Sequence, residues 1–322
     1  MAGEFVDIGT WLYQYRGWVV IALFVVGALV EFYDRSTARY VLVSAWVAFG
    51  LFWATMVPYF VFEQKSIVES IAVILAVPLS VVVGYHLARG RDSLFVLSRA
   101  VAITGMIYQP AVTLAFVRQP LIEVVTDQTA WLIQLTGYTP EVVSGLYVDG
   151  LRIAEKSHPY DSTFVFRSTG QPITYTIAMA CTGIGSMAIF AGLIGAVPAP
   201  AGRKLRALAV SLPVIYGLNL VRNVFIALGF GEQYFQIAPG LVMSLFDLEE
   251  PVMVSYIVAD RIIAQSLSVV ALIVITWLVV RELPEVFVIV EDGLFVLTGR
   301  EYDLAAALGM TEPVSGTQSD GV

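Results

Sequence analysis

Long apolar runs broken by short charged links dominate the chain. A helix rises 1.5 Å per residue, so crossing a hydrocarbon core about 30 Å thick takes about 20 apolar residues. Seven runs come up to that length: 11–31, 40–62, 67–87, 94–117, 173–197, 205–230 and 253–280. Each predicts a membrane-spanning helix, giving an all-α polytopic membrane protein with about seven transmembrane helices. The first run follows Glu4 and Asp7 rather than a basic stretch, and no small-residue cleavage site follows it. It reads as a retained span and not as a signal peptide.

The segments between and after the spans carry different periods. From 120 to 138, Leu121, Val124, Val125, Trp131, Ile133 and Leu135 alternate irregularly with Glu123, Asp127, Gln128 and Gln134. That pattern is too polar to span and predicts a helix lying in the membrane interface. From 141 to 172, short alternating runs between Gly and Pro suggest hairpin-like strands, hence a small cap between helices 4 and 5. After 280, the alternation Val286-Phe-Val-Ile-Val290 followed by Asp292-Gly293 predicts a small hairpin, and the Ser-, Gly-, Thr- and Asp-rich end beyond Thr311 predicts disorder. The organisation expected is a transmembrane catalytic domain over 1–280, with the interfacial helix and cap at 118–172, and a partly disordered cytoplasmic tail over 281–322.

Composition agrees with this reading, with 58% hydrophobic and 14% charged residues, and excludes a soluble domain. Charge then orients it. Arg35 and Arg39, Arg89 and Arg91, Arg203, Lys204 and Arg206, and Arg281 occupy alternate connections. The remaining ones hold Lys65, the long 118–172 segment, and 231–252 without any Lys or Arg. Basic loops stay inside, so the N-terminus is expected outside, the C-terminus inside, and 118–172 and 231–252 on the exterior. The expected location is the cell membrane, with any site near the cap facing out.

Three residues stand out against the apolar background. Cys181 is the single cysteine, and Arg222 and Arg261 lie inside apolar runs. Charge within a span costs at least a few kcal/mol and calls for a reason. On the expected topology each lies eight positions below the outer boundary, about 12 Å at helical rise. Each also has a plain alternative: a lone membrane cysteine behaves as a small hydrophobe, and a membrane arginine can simply pair with a carboxylate such as Asp260, Glu249 or Glu250. The shared depth favours chemistry. A thiol attacks as the thiolate, which guanidinium charge favours and apolar burial opposes, and an arginine can equally bond the oxyanion formed when a carbonyl is attacked.

Their neighbours suggest a polar cavity lining. Cys181 sits in Ala180-Cys-Thr-Gly-Ile-Gly-Ser186, where Thr182 and Gly183 follow it and Gly183 and Gly185 permit close approach. Asn219 and Arg222 share a helix face, with Asn223 next to it, and Asp260 precedes Arg261. His86 is expected at the inner end of its span and structural; His158, in the exterior segment, is a possible but secondary participant.

These strings, Ala-Cys-Thr-Gly-Ile-Gly, Asn-Leu-Val-Arg-Asn and Asp-Arg on successive late spans, resemble the exosortase/archaeosortase family, most specifically over 173–280. The resemblance implies a catalytic set at Cys181, Arg222 and Arg261. At the last position many exosortases carry His, whereas the archaeosortase branch, like this chain, carries Arg, which argues against a Cys–His base. It further implies a cysteine peptidase/transpeptidase that cleaves a C-terminal sorting signal, a Pro-Gly-Phe motif plus transmembrane helix, from surface proteins such as S-layer glycoprotein. The acyl group would then pass to an archaeal membrane lipid. From the residues alone, two other classes stay open: a transporter or channel binding an anion through Arg222 and Arg261, which internal repeats would favour and none is found, and a scaffold with structurally paired arginines. No cofactor, metal site or nucleic-acid partner is expected, since no nucleotide loop, zinc spacing or nucleic-acid motif appears.

Overall fold

The computed structural model describes residues 8–63, 67–153, 156–168 and 170–308. It is mostly helical. Helix α1 (Ile8–Glu31) leads through a tight turn into α2 (Arg35–Pro58), whose start is fixed by Asp34: its carboxylate accepts from the backbone N–H groups of Ser36 and Thr37. Helices α3 (Ile67–Ala88) and α4 (Leu94–Thr113) follow, then α5 (Ala115–Leu135). Beyond a stretch of strands come α6 (Ile184–Ala196), α7 (Ala201–Gly231) and α8 (Pro239–Phe246). A last long rod starts as α9 (Met253–Tyr256), widens to a π-helix over Ile257–Ala264 and continues as α10 (Gln265–Glu282). The chain closes with α11 (Phe287–Thr298) and the single turn α12 (Leu304–Ala307).

Among the described residues, five helical stretches are long and apolar enough to cross a membrane: Arg35–Glu63, Ile67–Ala88, Leu94–Thr113, Ala201–Gly231 and Met253–Glu282. Their apolar side chains are widely exposed, with Ile71 55%, Leu267 62% and Ile273 65% accessible. Side chains of that kind left uncovered by protein need hydrocarbon around them, so the chain is a multi-pass membrane protein.

The expected fifth span is corrected. Its first residues, Ile173–Thr176, form a strand, and Met179–Thr182 form a 3-10 turn. Only Ile184–Ala196 is α-helical, 13 residues long and about 20 Å in length, short of a full crossing. Cys181 therefore does not lie inside a continuous span. It occupies the turn between strand and helix.

The expected strands between 141 and 172 are present and continue past Pro172. Strands β1 (Glu141–Val143), β4 (Thr163–Phe166) and β5 (Ile173–Thr176) form an antiparallel sheet in the order β1-β4-β5, with Phe164 opposite Tyr175 and Val165 opposite Glu141. Strands β2 (Tyr147–Val148) and β3 (Leu151–Arg152) pair as a separate ribbon. One face of the larger sheet buries Phe164, Phe166, Ile173 and Tyr175 against Ile122, Val125 and Ile133 of α5 and Ile226 and Phe230 of α7. Its other face packs Val143 and Val165 on Val148 and Ile153.

The expected hairpin after 280 is also corrected. Residues 287–298 are the helix α11. Phe287 and Ile289 pack with Ile194, Ala207, Ile275 and Val279 in a core joining α6, α7 and α10. Asp292, buried to 1%, accepts from Arg91 Nε at 2.7 Å and from Ser93 at 2.8 Å. The helix sets Phe287 in that core and Asp292 against the α3–α4 link. The residues beyond 308, including those expected to be disordered, lie outside the described part.

Candidate active site

Strand β5 delivers the chain to the site. Its ladder with β4 runs one residue further, Ile177 N–H donating to Ser162 O at 2.7 Å, and the backbone then folds into the 3-10 turn. Cys181 N–H closes that turn on Ala178 O at 2.9 Å, and Thr182 Oγ1 donates to Met179 O at 2.7 Å. Gly183 follows with φ +75°, the left-handed region, and its carbonyl accepts the first bond of α6 from Met187 at 3.1 Å. A Cβ at Gly183 would stand 3.0 Å from Asn219 Cγ. Glycine is thus required both by conformation and by the closeness of α7.

Helix α7 brings three residues of the expected set to this turn. Asn219 and Asn223, one helical turn apart, both donate through Nδ2 to the carbonyl oxygen of Cys181, at 2.7 and 2.8 Å. A carbonyl has two lone pairs and both are used. The Cys181 backbone is thereby pinned to α7. Arg222, between them in sequence, donates through Nη2 to Asp260 Oδ1 at 2.5 Å, and its charge acts on the Cys181 thiol as well as on Asp260.

The π-helical segment supplies Asp260 and Arg261. Such single-turn widenings occur often at functional sites because they redirect side chains within a helix. Asp260 is 5% exposed and bridges two cations: Arg222 on Oδ1, and Arg261, whose Nε lies 3.5 Å from Oδ2. Arg261 also stands over the ring of Tyr256 at 5.9 Å. The carboxylate partner expected under the plain alternative exists, and it is shared. A buried pair of this kind contributes little net stability, whereas deleting one partner costs about 3–5 kcal/mol. What it supplies is a fixed orientation for Arg222.

The structure thus brings Cys181, Thr182, Gly183, Asn219, Arg222, Asn223 and Asp260 into one cluster, with Arg261 joined to it through Asp260. One neighbour is absent from the sequence expectation. Tyr175 on β5, 4% exposed, lies in the same buried cluster that Cys181 packs against. The alternation Ile173, Tyr175, Ile177 was the available signal, and reading these residues as helix hid it.

The histidines lie elsewhere. His86 packs edge-on against Phe295 at 4.9 Å. His158 contacts Arg118 Nη2 through Nε2 at 2.7 Å and Ser157 through Nδ1 at 2.7 Å, and stacks on Tyr160. Burial first, and the Arg118 charge second, push its pKa below the usual histidine value. Lys156, 3% exposed, donates to Val143 O at 3.0 Å and ties the 156–160 segment to β1. No group of three or more His, Cys, Asp or Glu side chains able to hold a metal ion is found among the described residues.

A cysteine turn bonded to α7 and a guanidinium–carboxylate pair linking α7 to the last rod stand together in a chain that comparison places among the transmembrane exosortases. The chain belongs to that family: the model described as transmembrane exosortase matches residues 11–248. Within it, the chain is similar to archaeosortase A of Haloferax volcanii, 46% identical over 303 residues covering 91% of this chain and 96% of that protein. It is also similar to archaeosortase A of Natronomonas pharaonis, 39% identical over 283 residues and 87% of each chain. No solved structure matches the chain.

Proposed function

We propose that the chain is a membrane cysteine transpeptidase that processes surface proteins at a C-terminal signal, a Pro-Gly-Phe motif followed by a transmembrane helix, and passes them to a membrane lipid. The similarity to two archaeosortase A proteins supports the reaction class. The observation that carries the assignment to this site is the double anchoring of the Cys181 carbonyl by Asn219 and Asn223 beside the Arg222–Asp260 pair. A nucleophile needs a fixed position, which the two asparagine bonds support, and a charge to offset the burial that opposes its thiolate, which Arg222 supplies in part.

In this reading Cys181 is the nucleophile. Its thiolate sulfur attacks the scissile carbonyl, a C–S bond forms, and the C–N bond breaks as the departing amine takes up the proton that the thiol gave up. Arg222 favours the thiolate and donates to the oxyanion; only one of its nitrogens is committed to Asp260. Asp260 aims Arg222, and Arg261 balances the second carboxylate oxygen. A lipid hydroxyl then attacks the thioester, giving the lipid-linked protein and restoring the thiol. The site opens to the exterior, following the basic inner connections, so that secreted substrates reach it from the outer face.

The test is mass spectrometry of the C-terminus of a candidate surface protein from cells carrying the wild-type chain, a Cys181→Ala chain or neither. The reading expects a truncated, lipid-bearing C-terminus with wild type alone. An anion transporter through Arg222 and Arg261 predicts no change at that terminus in any strain.

A further inference from the structure

The sheet beside Cys181 has an edge, β5, with which no other strand pairs among the described residues. Opposite residues of an antiparallel ladder alternate between bonded and non-bonded pairs, and the bond from Ile177 to Ser162 sets the parity for β4 and β5. Tyr175 with Phe164 and Ile173 with Phe166 are then bonded pairs, while Thr174 and Thr176 fall on non-bonded positions. The contact of Thr176 Oγ1 with Thr163 Oγ1 at 2.9 Å fits that parity, since non-bonded pairs bring side chains closer. The N–H and C=O groups of Thr174 and Thr176 therefore point away from β4. No backbone bond reaches them among the described residues.

Unpaired edges are usually blunted by lysine, proline or a bulge. Strand β5 itself carries Ile173, Thr174, Tyr175 and Thr176, without charge or proline; Pro172 and Ile177 flank it, Thr174 is half-buried and Thr176 is 8% exposed. The edge also has a direction. It runs toward Cys181, five residues beyond Thr176 with a compact turn between. A peptide whose acyl carbonyl must reach the thiol, with its bulk on the cap side, has to run the same way.

Building on the assignment of Cys181 as nucleophile, we infer that the extended stem of the substrate, the residues preceding the scissile bond, docks as a parallel fourth strand on the free edge of β5, bonded through the Thr174 and Thr176 backbone. Main-chain bonding gives affinity without demanding one stem sequence. It suits an enzyme whose substrates differ upstream of a shared signal. The two outward residues give a short register of alternating contacts, about 3.3 Å per residue, leading into the site.

The test uses a labelled peptide carrying eight stem residues, the signal motif and its transmembrane helix, with each stem amide N-methylated in turn. Affinity is read on the Cys181→Ala chain in nanodiscs, independently of turnover. The expected result is a period of two close to the scissile bond: alternate methylations weaken binding tenfold or more, and the intervening ones stay within about twofold. In parallel, Thr174→Pro, which removes an outward N–H where proline is tolerated, should weaken binding while Thr174→Ala does not. Uniform sensitivity, no sensitivity, or absence of binding overturns the edge docking. Cleavage of the unmodified peptide by wild type is scored separately, so period-two binding without cleavage would leave the docking standing and remove the transpeptidase reading.

Discussion

Replacing Gly183 by alanine tests how tightly the cysteine turn is constrained. The backbone there has φ +75°, and an L-residue in that region costs about 1–2 kcal/mol. The new Cβ would meet Asn219 Cγ at 3.0 Å and Cβ at 3.2 Å, so Asn219 must withdraw. Its bond to the Cys181 carbonyl, worth about 1 kcal/mol, weakens with it. Together these cost about 2–3 kcal/mol at the turn that holds Cys181. Expressed fully in the transition state, that is a loss of about 30- to 150-fold, at 1.4 kcal/mol per tenfold. Gly185 provides an internal control two residues on: its φ is not positive, and a Cβ would find Tyr108 at an ordinary 3.7 Å. The assay is the rate of surface-protein cleavage by purified variants in nanodiscs, with thermal melting followed alongside. Gly183→Ala should lose activity by that factor and melt a few degrees lower, while Gly185→Ala stays within about twofold. Wild-type cleavage by Gly183→Ala would refute the reasoning, and a lowered melting temperature with full activity would show that the strain is real and the turn irrelevant to chemistry.

Other outcomes follow from the same geometry. Arg222→Lys should be nearly as damaging as Arg222→Ala, each losing about 100-fold or more in cleavage rate, because a point charge cannot bond Asp260 and an oxyanion through one planar fork; Arg261→His should retain measurable turnover where Arg261→Ala does not. His158 has its folded pKa below the ordinary 6.5, so the unfolded chain binds more protons near that pH and stability falls as pH drops below about 6.5. His158→Gln should flatten that part of the melting-temperature profile, and an unchanged slope would remove His158 as its source. In a Cys181→Ala background, Ser157→Cys and Ser244→Cys should react with an impermeant thiol reagent on intact cells and Ala201→Cys should not; the reverse pattern would place the site on the inner face.

Much of the site was legible as chemistry before it was legible as shape. Charged residues in apolar runs are rare enough to single out Arg222 and Arg261, and helical period set Asn219 and Arg222 on one face with Asn223 next to it, though it is Asn219 and Asn223 that share the Cys181 carbonyl. Asp260 was foreseen as a possible partner of an arginine and bridges both. The path of 173–183 was misread for a physical reason: length and hydrophobicity identify a span, yet Ile-Thr-Tyr-Thr is β-branched and aromatic, suits a strand, and pairs with β4, the strand just before it in the chain. The equal-depth argument for Cys181 relied on a continuous helix and falls with it, although the thiol still meets Arg222 because the turn is bonded to α7. That same misreading concealed Tyr175. In 286–290, alternation favoured a strand, but packing on α6, α7 and α10 and the Asp292–Arg91 bond select a helix, a case of tertiary contact overriding local pattern.

The central claim is that Cys181 carries the acyl group between protein and lipid. The direct measurement is peptide mass spectrometry of purified wild-type chain quenched in acid during turnover of a surface-protein substrate without lipid acceptor. The account predicts an adduct on the Cys181 peptide with the mass of the cleaved stem, released by hydroxylamine as thioesters are. Continued cleavage with Cys181 unmodified, or by Cys181→Ala, would contradict it.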